Sequence, residues 1–301
     1  CYSSLFKTDE AEEYIKDALS IFTELEEDLN IGNSLAEMGN IYINKGQFSE
    51  GLQYFMKALG VWRKIDLPMN QYRVLFVIAD TYTKIGMYEN AITYLDDVKL
   101  LADDFEDYYY GLGRIYSISC EISLWEENRD DAVKNILEAI ENFIDAEQFF
   151  QAASQLNKLA YLYIEMNQIQ KATKTLKKSI RIAEKNEGIE QIQRINILRE
   201  LINNIEGRYD CKQLNDLEKQ IAHSQITRKN NYIIGENFWH LSKCYRFSGD
   251  NGKASELLNK AQGIIHDYAE KITDPIQRKC FLEDNIINRK IINDSKVILN
   301  Q

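Results

Sequence analysis

Proline is almost missing from this sequence. Pro68 and Pro275 are the only two in 301 residues, and glycine occurs 14 times. Turn-rich β architectures need more of both, because tight reversals depend on residues that fix φ or free it. Helix is what remains. No apolar run approaches the roughly 18 residues that a membrane-spanning helix needs, and no charged-then-apolar leader opens the chain. Histidine occurs three times, as His223, His240 and His266, with no i, i+4 pairing; no metal or nucleophilic site is expected from them. The five cysteines, Cys1, Cys120, Cys211, Cys244 and Cys280, are odd in number, far apart and without a C-x-x-C pair. That spacing argues against a disulfide framework or a zinc site, and for reduced, mostly packed thiols in a cytoplasmic protein. No phosphate-cradling G-x-x-x-x-G-K-[ST] loop is present, and the G-L-G at 111–113 lacks the preceding strand of a dinucleotide fingerprint. Catalysis and a bound cofactor are therefore not expected.

The net charge of −11 conceals an asymmetry: residues 1–150 carry −17 and residues 151–301 carry +6. An acidic half repels nucleic acid, and a mild positive excess is no dense basic patch. Direct nucleic-acid binding is not expected, nor is membrane binding. Carboxylate pairs such as Asp103/Asp104 and Asp130/Asp131 fall at expected helix ends, where a negative charge near an N-terminus is favoured. The run Tyr108–Tyr109–Tyr110 lies in an acidic neighbourhood and reads as packing between repeats rather than as a stacking platform.

What the sequence does have is internal repetition. Four segments align without gaps: 34–59, 74–99, 155–180 and 237–262. Each opens with an early apolar residue (Leu35, Leu75, Leu156, Phe238), followed by a small one (Gly39, Ala79, Ala160, Ser242) and a tyrosine (Tyr42, Tyr82, Tyr163, Tyr245). A turn residue comes next (Gly46, Gly86, Asn167, Gly249), and then a small–apolar–small series such as Ala172, Leu176, Ser179. Two antiparallel helices approach to about 8–10 Å when small residues sit at their crossing. Gly or Asn supplies the left-handed turn between them. One hairpin cannot bury its apolar face alone, so hairpins stack. The second-helix small residues Ala11, Gly51, Ala91, Ala132 and Ala172 recur every 40 or 41 residues.

This pattern resembles the tetratricopeptide repeat, in a long form that departs from the common period of about 34 through longer helices or longer links. Similar long repeats occur in bacterial peptide-sensing regulators, in the sensor arms of multidomain ATPases and kinases, and in some eukaryotic adaptors. The resemblance implies an all-α, right-handed solenoid of antiparallel helix hairpins. The expected array covers residues 1–274: a half repeat at 9–30, then repeats at about 32–66, 72–105, 112–145, 152–186, 190–225 and 231–270. The units at 112–145 and 190–225 are degenerate. Pro275 suits a helix start, so 275–301 is expected to be a C-terminal capping helix. The segment ITDPIQRKCFL at 272–282 resembles one that closes such arrays in bacterial multidomain signalling proteins. The half repeat, and a first residue that is not methionine, fit a piece of a longer protein. High Ile, Asn and Lys with low Pro suggest an AT-rich bacterial genome.

The resemblance also implies a non-catalytic binding scaffold whose first helices line a concave groove. The positions that would face the groove hold Asn33, Glu37, Asn40 and Asn44, then Arg73, Phe76, Asp80 and Lys84, then Arg114, Glu121 and Trp125. They continue with Asn157, Lys158 and Tyr161, then Arg199, and finally Trp239, His240 and Lys243. An asparagine amide offers both donor and acceptor to an extended backbone. Arg and Lys suit carboxylates, and Trp and Tyr make apolar anchors. The expected partner is a protein or peptide, or another domain of the same full-length chain. The expected role is the sensor or docking arm of a larger bacterial signalling protein, the alternative being a self-contained receptor for a small signalling peptide.

Overall fold

The computed structural model describes residues 8–102, 108–186, 188–227 and 233–299. Cys1, Asp103 and Asp104 lie outside them. The described residues form helices and no strand. In order these are α1 (Thr8–Glu24), α2 (Asp28–Asn44), α3 (Phe48–Lys64), α4 (Pro68–Ile85), α5 (Tyr88–Ala102), α6 (Tyr108–Trp125), α7 (Arg129–Asp145) and α8 (Phe149–Glu165). They continue with α9 (Ile169–Lys185), α10 (Ile189–Ile205), α11 (Cys211–Thr227), α12 (Ile233–Phe247), α13 (Asn251–Glu270), α14 (Pro275–Glu283) and α15 (Ile286–Leu299). The architecture is an all-α solenoid of helix hairpins, α2/α3, α4/α5, α6/α7, α8/α9, α10/α11 and α12/α13, with α1 standing before the first.

The period follows from the geometry of one hairpin. Helices α2 and α3 are 17 residues each, and each is followed by a three-residue link, 45–47 and 65–67. Two such helix-plus-link units make the 40-residue repeat, so the long period comes from the helices. Nine links between the described helices each turn on one left-handed residue. At the end of α2, Gly46 N–H donates to the Ile43 carbonyl at 2.9 Å and Gln47 N–H to the Tyr42 carbonyl at 2.9 Å, the paired bonds that close a helix C-terminus. Gly46, Gly86, Gly207, Gly249 and Asn167 take positive φ, as turn chemistry predicts; Glu26, Asp66, Glu127 and Glu147 do so as well, at 54–61°. A side chain in that conformation is strained by about 1–2 kcal/mol, which is why residue type alone does not mark those four links.

The repeat residues do what their sizes require. A Cβ on Gly39 would stand 2.6 Å from the Phe55 ring, so α2 and α3 cross as closely as they do only with glycine there. Two of the repeat tyrosines stack within their own hairpins. Tyr42 stacks on Tyr54 at 5.3 Å and Tyr82 on Tyr94 at 5.5 Å. Hydroxyls also reach back a repeat, Tyr42 to Glu12 on α1 at 3.0 Å and Tyr245 to Asn215 on α11 at 2.7 Å. Tyr110 packs on Phe143 of its own hairpin at 6.0 Å and joins the cluster that also holds Ala152 of the next hairpin, while Tyr109 is exposed. Asn128 caps α7 by accepting from Asp131 N–H, with Asp130 and Asp131 in the first turn. The described cysteines are free; Cys120 and Cys244 are buried, Cys280 is half-buried and Cys211 is exposed. Burial pushes the Cys120 thiol up to about 12.

The chain divides into two compact units, which differ from the expected array and cap. Unit 1 is 1–106 with 268–285, and unit 2 is 107–267 with 286–301. In place of one capping helix, residues 275–299 form α14 and α15, broken at Asp284 and Asn285. In unit 1, α14 packs on the early hairpins. Phe281, 1% exposed, meets Phe48 at 6.0 Å. Gln277 accepts from the Ser49 hydroxyl at 2.8 Å, and Asn285 donates to the Lys84 carbonyl at 3.0 Å. The closing motif is a built corner: Ile272 is fully buried, and Asp274 caps α14 through Ile276 and Gln277 N–H. Pro275 opens the helix and Arg278 donates twice to the Ile272 carbonyl.

Candidate docking face

In unit 2 the first helices of successive hairpins, α6, α8, α10 and α12, contribute to one cluster of charges and rings. At one end Lys158 of α8 pairs with Glu121 of α6. Arg194 of α10 pairs with Glu236 of α12. Next come the stacked rings: Tyr161 lies 4.3 Å from His240, and Trp239 lies 4.9 Å from His240. Lys243 sits 3.8 Å above the Trp239 ring and donates to the Tyr161 hydroxyl at 3.1 Å. That hydroxyl donates to Glu165 at 2.9 Å. Helix α15 adds two side chains: Lys290 bonds both Glu165 oxygens, at 2.6 and 2.7 Å, and Asp294 accepts from Trp239 Nε1 at 2.7 Å.

Electrostatics follow from burial and this alternation of sign. His240 is fully buried; burial and the cations Arg194, Lys243 and Lys290 hold its pKa well below the usual histidine range. Burial also lowers Lys243, against the pull of Asp294 and Glu165. Burial and the Glu165 carboxylate raise Tyr161 well above an ordinary phenol. Lys158 goes the other way: burial opposes its charge, but Glu121 more than offsets that and raises its pKa. The arrangement therefore sets part-exposed ion pairs over buried aromatic rings, a mix of charge and apolar surface that suits a polypeptide partner. Among the described residues no group of three or more His, Cys, Asp or Glu is placed to hold a metal.

The sequence model of the tetratricopeptide repeat matches residues 32–61, 72–104 and 153–186. Those three stretches are tetratricopeptide repeats. No curated protein matches its sequence. Solved structures share the fold. A Rap protein complexed with competence and sporulation factor is 18% identical with a TM-score of 0.63, over 97% of this chain and 71% of that one. The apo form of RapI is 16% identical with a TM-score of 0.66, over 87% of this chain and 94% of that one. A signal transduction ATPase with numerous domains, carrying a tetratricopeptide repeat sensor, from Pyrococcus horikoshii, is 12% identical with a TM-score of 0.57; the match covers 98% of this chain and half of that one.

The repeat register explains where each expected groove residue went. Counted from the early apolar residue of the first helix, positions −2, +2, +5 and +9 are spaced by four, three and four residues, and so share one helix face. In unit 1 these tetratricopeptide positions hold Asn33, Glu37, Asn44 and Arg73, all exposed, and the half-exposed Asn40, Asp80 and Lys84. Asp80 and Lys84 pair at 2.6 Å along α4. In unit 2 they hold Lys158, Tyr161, His240 and Lys243, all in the cluster. Position +1 lies about 100° round the helix and points inward. Phe76, Asn157 and Trp239 occupy it and are 2%, 0% and 1% exposed. Asn157 accepts from the Ser179 hydroxyl at 2.7 Å and donates to the Gln191 side chain at 3.1 Å; it ties α8 to α9 and α10 and is not displayed. Trp239 is buried too, yet its Nε1 reaches the cluster edge. Arg114 turns over the Tyr110 ring at 5.9 Å, and Arg199 is exposed.

Sequence reasoning missed Glu165, Arg194, Glu236, Lys290 and Asp294. The register could have found two of them, because Glu236 stands at −2 with Asn33 and Arg73, and Glu165 stands at +9 with Asn44 and Lys84. Arg194 lies in a degenerate repeat without a reliable register. Lys290 and Asp294 lie outside the repeats.

Proposed function

We propose that this chain is a docking module that takes a polypeptide segment on the α6–α8–α10–α12 face of unit 2. The observation that carries this is the cluster itself: Lys158, Tyr161, Trp239, His240 and Lys243, from separate repeats, converge with paired carboxylates. Lys158 keeps 31% of its side-chain surface exposed, so a ligand carboxylate can compete for it. The first-helix residues of unit 1, from Asn33 to Lys84, form a second candidate face. The fold shared with a Rap protein bound to competence and sporulation factor supports a peptide as ligand. The fold shared with a sensor of a multidomain ATPase supports a place as the sensing arm of a larger signalling protein.

Peptide-display selection against the purified chain tests this reading. Peptides it selects should bind Lys158→Ala or Lys243→Ala at least about tenfold more weakly, a loss of ~1.4 kcal/mol. They should bind Lys84→Ala as well as the parent. Selected peptides indifferent to Lys158 and Lys243 would place docking elsewhere.

A further inference from the structure

Helix α15 covers the cluster without satisfying it. Its Lys290 and Asp294, one turn apart, hold Glu165 and Trp239, and Ile291 is 1% exposed against the unit. Beneath these contacts neither ring nitrogen of His240, fully buried, has a hydrogen-bond partner among the described residues, and the same is true of Arg194 Nε. Buried donors and acceptors left unpaired are costly, and nearly all such groups in folded proteins find partners. An occupant that placed hydrogen-bonding groups over His240 would therefore hold this face better than α15 does. The grip of α15 is also open to exchange, because Lys290 and Glu165 keep 35% and 21% of their side-chain surfaces exposed, and an ion pair that water reaches is weak.

We propose that α15 is a displaceable internal occupant of the docking face, and that the ligand displacing it is a helical segment with a basic and an acidic residue one turn apart and a polar group opposite His240. The inference rests on the docking reading. It adds what sits on the face at rest, and what chemistry takes its place. A segment tied to the chain competes with a free ligand as a conformational tax on binding, and loosening it tightens apparent affinity by the same factor.

The test uses the full chain and a labelled peptide with the sequence of residues 286–299. The Lys290→Ala/Asp294→Ala chain should bind this peptide at least about tenfold more tightly than the parent, and the amides of 286–296 should exchange with solvent faster. The α8 and α12 amides should be unchanged. Equal affinity for both chains, or equal binding of a scrambled peptide, overturns the proposal. Should the double variant lose its helical circular dichroism, a charge exchange decides: Glu165→Lys should speed exchange in α15, and adding Lys290→Glu should restore protection. Failure to restore it overturns the proposal. The two readings fail separately. If display-selected peptides need Lys158 and Lys243 but the 286–299 peptide does not compete with them, the face docks and α15 is not its occupant. If neither binds, the docking reading itself falls.

Discussion

His240 is fully buried beside three cations. Its folded pKa is lowered, while in the unfolded chain an imidazole titrates near 6.5. Below that pH the unfolded chain takes up a proton that the folded chain refuses. The stability contributed by the neutral ring is therefore fully present above about pH 6.5, and is lost as pH falls from there towards the folded value. Arg194, Lys243 and Lys290 all add to the resistance. The urea midpoint of the parent should fall more between pH 7 and pH 5 than that of His240→Phe; equal slopes would show that the ring is not excluded from protonation. Two glycines offer a second comparison at this scale. Gly86 and Gly249 both have φ near 90°, but a Cβ on Gly86 would stand 2.5 Å from Asn285 N and 2.7 Å from the Cys280 carbonyl, while Gly249 faces open space. Gly249→Ala should cost only the backbone strain, about 1–2 kcal/mol. Gly86→Ala should cost at least ~1 kcal/mol more, because backbone atoms on both sides must move. Denaturant unfolding of the two variants checks the difference.

At the scale of elements, the links and the buried asparagine carry the argument. Glu127 closes α6 in a left-handed conformation, with its N–H on the Leu124 carbonyl at 3.2 Å. Glu127→Gly should raise stability by about 1 kcal/mol, since glycine takes that conformation without a Cβ penalty. A lowered denaturation midpoint would mean that the glutamate side chain matters in its own right. Asn157→Ala should cost about 1–3 kcal/mol, because Ser179 and Gln191 lose a buried partner, whereas Asn40→Ala should sit within about 0.5 kcal/mol of the parent. Here the sequence was a good guide to the hairpins and a partial guide to the face. The tyrosine, the small residues and the glycine turns mark each hairpin through steric rules that act within a few turns of helix. Which first-helix residues show to solvent depends on a rotation of one residue, and that rotation separated Lys158 from Asn157. Links closed by Glu or Asp carry no mark, because the helix-ending bonds come from backbone atoms that every residue has.

For the whole molecule, stacking predicts a gradient of local stability. In repeat arrays stability is roughly a sum of unit and interface terms, so a helix that buries less apolar surface is less protected. In α1, Tyr14 and Ile21 are 63% and 55% exposed, whereas α4 buries Leu75, Ile78 and Ala79 completely or nearly so. Hydrogen exchange should therefore proceed through α1 well before α4; equal protection would contradict a nearest-neighbour account. The sequence by itself determined the helices, the period and the hairpins, because helix propensity, turn chemistry and close crossings are local and repeat every 40 or 41 residues. Only the tertiary structure decided where the non-repeating end goes. Residues 272–299 carry no period to read. Phe281 meets Phe48, and Lys290 and Asp294 meet Glu165 and Trp239, only because distant surfaces happen to match in shape and charge.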